Sequence, residues 1–460
     1  MKIFLVTFIS LYISSSAQPR TDYSNPTVIQ SPNLDTTEAN PDTFDTNKNE
    51  QQSKRINGYK VLCYYESISL QRTPRYMFYP RHINTTYCTH IVSTYATLDP
   101  KEYVIRNSSV PAMTNPESGA DYRTLSRMKE LDQGLKIIIA IGGWIDSRED
   151  RIDPAKYSNM ARDGVRREKF IDSVIQFLNW YNFDGLSFEW QDPTFVSNHA
   201  QDKENYVTLL KEMKKRFGSK YELLVAVSST EVYRPGYDLL AIQDIVDTIS
   251  VMSFNYVGHW TSPQLVGHHS ALRQRPEADE VAPLQSEWGV ASESGPKERR
   301  SVSVESHFRY LLDDLKLRPE KLVLGIPFFG RSFHLTDGAR NGPFDPFDNH
   351  GQGQGRVAFL GEGMRTFSEI CIGLSDVINS NIPVVTYDHN YWVAPYSSSG
   401  RFWIAYDDER SSRIKVNWMK EKSLGGVLTF NIDFDDFRGE CYYGRKFPLL
   451  NAIYQQIMTN

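Results

Sequence analysis

The sequence predicts an α/β fold in which eight strand–helix repeats close into a (β/α)8 barrel, and three observations favour it. Eight short runs of apolar and aromatic residues recur along the chain after residue 58. Segments with apolar residues at helical spacing lie between these runs. The connection before the eighth run is much longer than the others, which indicates a small inserted domain. The expected fold is therefore a TIM barrel with an α+β insertion between strands 7 and 8.

The candidate strands are short, and several are almost continuously apolar, as expected for strands buried on both faces of a sheet. They cover residues 59–65, 89–96, 136–143, 183–190, 222–229, 248–255, 321–329 and 425–433. Apolar residues recur three and four positions apart in 165–181 and 203–217, which predicts amphipathic helices there. The insertion is predicted over 335–402 because a structureless loop of that size is unusual. Residues 261–302 are polar and are predicted to form loops over the barrel mouth.

The N-terminus has the pattern of a secretory signal. Lys2 precedes an apolar run from Ile3 to Ile13, and small residues follow up to Ala17. We predict a signal peptide at 1–17, a disordered polar leader at 18–57 and the barrel at 58–460. The apolar run is too short to span a bilayer, and no later stretch of about 20 apolar residues occurs. The mature protein is therefore expected to be secreted, without a membrane span.

An exported chain changes the interpretation of its four cysteines, because the secretory route favours disulfides. Three pairings are possible, and Cys63–Cys88 with Cys371–Cys441 is favoured because each pair is close in sequence. A zinc site is not expected, since no C-x-x-C pair is present. Two N-glycosylation acceptors, Asn84 and Asn107, begin Asn-x-Ser/Thr triplets. The net charge of −5, without a dominant basic run, argues against nucleic acid as a partner.

A series of motifs follows the predicted strands in order. They read CYYES, CTHIV, LKIIIAIGGW, FDGLSFEW, MSFNYVGHW, LVLGIPFFGRSFHL, YDDERS and GGVLTFNIDFDDFRGEC. Through them, residues 58–448 resemble glycoside hydrolase family 18, the chitinases and chitinase-like proteins. The resemblance implies a TIM barrel with a small α+β insertion before the eighth strand, and it implies the same cysteine pairing.

The fourth strand departs from the pattern of active members, which resembles DGxDxDWE. The resemblance implies that its last Glu is the general acid. It also implies that the preceding Asp orients the substrate's N-acetyl group, which supplies the nucleophile. Here Ser187 and Glu189 occupy the two inner Asp positions, and Gln191 occupies the acid position. Strand residues alternate faces, so all three are expected to face the barrel interior. An amide has no proton to give to a leaving oxygen, so the catalytic step is expected to be lost.

Other site positions also differ from the family pattern. Phe254 and Asn255 occupy the Tyr and Asp positions of MxYD, and Phe329 replaces a usual Tyr, while Arg331 is kept. Phe430 occupies the position of the Trp that the resemblance places under the central sugar. Phe430 still offers a stacking face, although a smaller one. These combined changes indicate that the hydrolytic role was abandoned and leave no expected catalytic residue.

The leading interpretation is an inactive, secreted chitinase-like protein, similar to chitinase-like lectins and the imaginal disc growth factors of insects. Two modes of action stay open: binding of chitin or chito-oligosaccharide, and binding of an unknown protein partner. The alternative interpretation is a weak or altered chitinase that uses Glu189 as its acid. The candidate ligand-binding residues are Tyr64, Tyr95, Trp144, Gln191, Trp260, Arg331 and Phe430.

Neither a metal nor a cofactor is expected. Five aspartates are close in sequence towards the C-terminus, but they lack the alternating spacing of a calcium-binding EF-hand loop. They are Asp407, Asp408, Asp433, Asp435 and Asp436. The family resemblance places them in structural turns. Glycosidic chemistry needs no cofactor, and no glycine-rich phosphate loop is present.

Overall fold

The computed structural model describes residues 56–108, 110, 113, 115, 121–148, 153–191, 193–194, 199–228, 236–276, 285–286, 303–348, 363–375 and 383–459. The predicted signal peptide and all but the last two residues of the predicted leader lie outside this part of the chain. No helix within the described residues is long and apolar enough to cross a bilayer.

Eight parallel strands form the centre of the fold. In chain order they are β1 (Lys60–Glu66), β2 (His90–Leu98), β3 (Lys136–Gly142), β4 (Gly185–Glu189), β5 (Glu222–Ser228), β6 (Thr248–Met252), β7 (Leu322–Pro327) and β8 (Gly426–Phe430). They are the predicted strands, with boundaries shifted by a few residues. The main exception is the predicted strand 321–329, which divides at Phe328 because β7 ends there and an antiparallel strand begins.

The strands close into a barrel. Each strand pairs in parallel with the next from β2 to β8, and β1 pairs with both β2 and β8. Closure satisfies the backbone hydrogen bonds of every strand within the sheet and leaves no open edge. The carboxyl ends of all eight strands therefore meet at one mouth, where barrel enzymes build their sites. The predicted TIM barrel is confirmed.

Most of the helices cover the outside of the barrel. Asp163 begins the longest of them by accepting a hydrogen bond from the N–H of Arg166, and Asn182 ends it in a left-handed conformation. The helices are Tyr122–Leu131, Gly143–Arg148, Lys156–Ala161, Gly164–Tyr181, Asp202–Phe217, Leu239–Ile245, Val304–Arg309, Phe367–Ser375, Glu409–Glu421 and Pro448–Met458. Two of these match the helices predicted at 165–181 and 203–217.

A second, antiparallel sheet lies in the chain between β7 and β8. Its strands are Phe329–Leu335, Phe347–Asp348, Met364–Thr366, Val384–Asp388, Ala394–Ser399 and Phe402–Ala405. With the helix Phe367–Ser375 it forms an α+β unit at the predicted place in the chain. The sheet begins six residues before the predicted bound of 335, because its first strand follows β7 after Phe328 alone.

Both predicted cysteine pairs are present as disulfides. Cys63 in β1 is bonded to Cys88, which precedes β2. Cys371 in the inserted unit is bonded to Cys441, which follows β8. The second bond therefore ties the insertion to the segment that leaves the barrel mouth.

Candidate functional site

The end of β4 directs alternate side chains into the barrel, as predicted. Phe188 and Trp190 point outwards, and their rings pack on Tyr206 of a surrounding helix at 5.7 Å. Ser187 and Glu189 face inwards and contact each other, with the Ser187 hydroxyl donating to Glu189 Oε1 at 2.9 Å. The sequence FDGLSFEWQDP therefore places its acid inside the barrel.

Glu189 is fully buried and accepts three hydrogen bonds. Tyr64 from β1 donates to Oε1 at 2.9 Å, Tyr95 from β2 donates to Oε2 at 3.0 Å, and Ser187 is the third donor. Burial raises the pKa of Glu189 to about 7, although the three hydroxyl donors oppose this rise. The carboxyl group is thus held inside a ring of hydroxyls, below the surface of the mouth.

Gln191 lies two residues further along, just beyond the end of β4, and is partly exposed. Its backbone N–H donates to the hydroxyl of Ser147 at 3.2 Å, which fixes the chain at this point. Its side-chain amide makes no hydrogen bond to the described residues. The amide therefore offers a donor and an acceptor to a ligand at the mouth, but no acidic proton.

An aromatic cluster lies at the mouth beside the Glu189 pocket. The ring centroids of Phe254 and Phe430 are 5.2 Å apart, and those of Phe254 and Phe329 are 5.6 Å apart. Tyr64 joins the cluster, with its ring 5.7 Å from that of Phe430. Only Phe430 of these four is partly exposed, so it is the member that can meet a ligand in this conformation.

Arg331 connects the inserted sheet to the end of β6. Its Nε and Nη2 both donate to Asn255 Oδ1, at 3.0 Å and 2.9 Å. Its guanidinium also lies 4.8 Å from the ring centroid of Trp260. Burial lowers the pKa of Arg331 to about 9, so the group stays charged at neutral pH. Arg331 is buried, and its contact with the ring supports the partly exposed Trp260 from below.

Trp144 is the most exposed aromatic residue among the predicted ligand contacts, at 41%. It follows β3 at the start of the helix Gly143–Arg148. The preceding Gly143 has φ +70°, and a Cβ atom there would lie 2.7 Å from the Tyr95 ring. Glycine at 143 therefore lets the chain turn closely over Tyr95 and project Trp144 outwards.

A charged group lies where β1 and β8 end, and the sequence had singled out only its Asp433. Arg72 Nη2 is 3.2 Å from Glu66 Oε2 and 2.7 Å from Asp433 Oδ2. Asn431 Nδ2 approaches Glu66 Oε2 at 3.5 Å. Burial raises the pKa of Glu66, Arg72 opposes the rise, and the Asp433 carboxylate adds to it. Glu66 could have been identified from the sequence, because it is the last residue of β1 and therefore lies at the barrel mouth.

The five C-terminal aspartates make contacts within the chain. Two of them pair with basic side chains: Asp407 with Lys415, and Asp433 with Arg72. The other three accept hydrogen bonds from backbone N–H groups. Asp408 accepts from Ser411, Asp435 from Leu449 and Leu450, and Asp436 from Cys441. Within the described residues, no group of three or more His, Cys, Asp or Glu side chains is arranged to hold a metal ion.

The structure brings the predicted ligand-binding residues to the same end of the barrel, but at different depths. Trp144, Gln191, Trp260 and Phe430 are accessible, and Tyr95 is partly so. Tyr64 and Arg331 are buried, where Tyr64 donates to Glu189 and Arg331 lies against the Trp260 ring. The accessible set combines aromatic faces with an amide, which suits a ligand that has both apolar faces and hydroxyl or amide groups.

Several known proteins are similar to this chain in sequence and in fold. "Probable chitinase 10" of Drosophila melanogaster is 29% identical over 410 residues, which are 87% of this chain and 16% of that protein. The chain thus spans about a sixth of the length of that relative. The Group IV chitinase of Ostrinia furnacalis is 29% identical, with a TM-score of 0.75 over 87% of this chain and 100% of that chain.

A further solved structure is human YKL-39, described as a pseudo-chitinase with retained chitooligosaccharide binding properties. It is 26% identical, with a TM-score of 0.71, and the match covers 87% of this chain and 100% of that chain. The sequence profile of the glycosyl hydrolases family 18 matches residues 60–435, which is most of the chain. The chain therefore belongs to glycosyl hydrolase family 18.

Proposed function

We propose that this chain is a secreted family 18 protein that binds chitin-type oligosaccharide at the barrel mouth without hydrolysing it. One observation carries the proposal. The amide of Gln191 occupies the accessible position at the end of β4, while the inward-facing acid, Glu189, is fully buried.

The loss of hydrolysis follows from proton supply. A glycosidic leaving group needs a proton from a group that can reach its oxygen, and the side-chain amide of Gln191 has none to give. Glu189 can carry a proton, but both of its oxygens are enclosed by Tyr64, Tyr95 and Ser187. Removal of a positioned general acid typically costs about 10²–10⁴ in rate. We therefore expect turnover to be lost or close to background.

Binding requires different groups, and these are present at the mouth. Trp144, Trp260 and Phe430 offer partly exposed aromatic faces on which the C–H faces of a sugar ring can pack. Gln191 can exchange hydrogen bonds with hydroxyl or acetamido groups. The human pseudo-chitinase supports this separation, because it retains chitooligosaccharide binding.

Export is the second part of the proposal. It is supported by the signal-like sequence of residues 1–17 and by the two disulfides, which are typical of oxidising compartments. The expected location is extracellular. Detection of the protein in the culture medium, with its N-terminus sequenced, tests this part directly.

Titration calorimetry with chitohexaose tests the binding. We expect saturable heat, recovery of the hexamer at full length, and a loss of affinity of about tenfold or more in Trp144→Ala. Cellohexaose, which lacks the acetamido groups, is the matched control ligand and should bind more weakly. No heat and no cleavage would contradict the proposal and favour a protein partner instead.

A second candidate function is slow hydrolysis with Glu189 as the acid. The observation that favours it is the raised pKa of Glu189, about 7, which keeps part of the carboxyl protonated at neutral pH. Cleavage of chitohexaose by the natural chain, abolished in Glu189→Gln, would establish this function. Cleavage that persists in Glu189→Gln would exclude Glu189 as the acid.

A further inference from the structure

We propose that Asn107 carries an N-linked glycan whose first sugars pack on an aromatic surface formed by Arg123, Trp180 and Tyr181. The inference concerns the outside of the barrel, away from the mouth. It depends on the export part of the proposed function, because N-glycosylation takes place in the secretory route.

The backbone around Asn107 is held by two outer helices, Gly164–Tyr181 and Tyr122–Leu131. Just before it, the N–H of Ile105 donates to the hydroxyl of Ser173 in this helix at 3.0 Å. Just after it, the N–H of Ser108 donates to the hydroxyl oxygen of Tyr122 at 2.9 Å. Asn107 itself is exposed, so its amide is accessible while its position is held.

The Asn107 side chain lies against the aromatic surface. The Tyr181 hydroxyl approaches Asn107 Oδ1 at 3.5 Å, the limit of a hydrogen bond. A sugar joined to the same amide group therefore begins beside the Tyr181 ring. This ring is held in place by Tyr122 and Phe177, whose centroids are 4.9 Å and 4.7 Å away.

Trp180 extends the aromatic surface beyond Tyr181. Its side chain is 69% exposed and lies next to Tyr181 in the chain, so the two rings can form a contiguous patch. The Arg123 guanidinium lies 5.5 Å from the Trp180 ring centroid and 5.6 Å from that of Tyr181, so it joins the two rings. A tethered glycan has a high effective concentration at this surface and can cover it at little entropic cost.

The modification is an ordinary group transfer. The donor is an oligosaccharide linked through C1 of its first N-acetylglucosamine to a lipid pyrophosphate. The C1–O bond to the pyrophosphate breaks, and the lipid pyrophosphate leaves with the electron pair. A C1–N bond forms to Nδ2 of Asn107, which gives up one proton.

The other acceptor, Asn84, provides a matched control. Its Oδ1 accepts a hydrogen bond from the N–H of Thr86 at 3.1 Å, and the residue is only partly exposed. Asn107 contacts Tyr181 of the aromatic surface, whereas the hydrogen bond of Asn84 is to the neighbouring Thr86. Removal of a glycan from Asn84 should therefore not depend on Trp180.

The first measurement is peptide mapping by mass spectrometry of protein secreted from a eukaryotic host. We expect glycan mass on the peptide containing Asn107, and its loss in Asn107→Gln. Secreted protein with a bare Asn107 would overturn the inference while leaving the proposed export intact. Calorimetry with chitohexaose reports on the mouth independently of either result.

The second measurement is thermal unfolding of a double-mutant cycle. We expect Asn107→Gln to lower Tm by about 2–4 °C in the natural background, and by less than about 1 °C in a Trp180→Ser background. Asn84→Gln should have the same effect in both backgrounds. An Asn107→Gln effect that is equal in the two backgrounds would show that the glycan does not pack on this surface.

Discussion

Glu189 is the residue on which the interior of the mouth depends. Its carboxyl group accepts hydrogen bonds from Tyr64, Tyr95 and Ser187, so its removal leaves buried hydroxyls without an acceptor. We expect Glu189→Ala to cost about 2–4 kcal/mol of unfolding free energy, measured by urea denaturation at pH 5. Ser187→Ala removes only one of the three bonds and should cost about 1 kcal/mol. Equal costs in the two variants would contradict this account.

The same residue should make stability depend on pH. Burial raises the pKa of Glu189 to about 7 in the folded chain, above the ordinary value of 4.5. The folded state therefore holds its proton more tightly, so this contribution is full below pH 4.5 and is lost as pH rises through 7. We expect wild type to lose roughly 3 kcal/mol across this interval relative to Glu189→Gln. Parallel curves of unfolding free energy against pH for the two proteins would disprove this prediction.

At the scale of elements, Arg331 links the inserted sheet to the loop that carries Trp260. The guanidinium forks onto Asn255 Oδ1 and lies under the Trp260 ring. We expect Arg331→Ala to weaken chitohexaose binding about tenfold, measured by calorimetry, because Trp260 loses its support. Arg331→Lys keeps the charge but not the fork, and should recover only part of the affinity.

The control for this prediction is Arg340→Ala in the same inserted unit. Arg340 is exposed and pairs with Asp345 at 2.9 Å, so it tests the loss of a guanidinium that is paired with an acid instead of with Asn255 and Trp260. We expect no change in affinity. An equal loss in both variants would assign the effect to the inserted unit in general rather than to the support of Trp260.

The strands could be predicted from the sequence, but the side-chain contacts between them could not. Eight apolar runs predicted the barrel, and the alternation of β4 predicted that Ser187 and Glu189 face inwards. The donors to Glu189 could not be predicted, because Tyr64 and Tyr95 are 125 and 94 residues away and meet it only through barrel closure. Glu66 and Arg72 were missed for the same reason, since the contact of Arg72 with Asp433 also depends on closure of the barrel.

For the whole molecule, the end of the barrel opposite the mouth contains a charged network that joins several strands. Glu222 begins β5 and contacts His90 at the start of β2, with a distance of 3.1 Å from Nε2 to Oε2. Lys136, at the start of β3, pairs with the other carboxylate oxygen. Burial would raise the pKa of Glu222, but His90 and Lys136 outweigh it and bring the pKa to about 2.

This network should resist acid until Glu222 is protonated. The folded pKa of about 2 is below the ordinary value of 4.5, so the stabilisation is present above pH 4.5 and is lost as pH falls towards 2. We expect Glu222→Gln to be less stable than wild type by roughly 2 kcal/mol at pH 7, allowing for its partial exposure, with the gap closing below pH 4. Urea unfolding at pH 7, 4.5 and 3 measures the gap. A gap that is constant across these values would show that the shape of Glu222, and not its charge, stabilises the closed barrel.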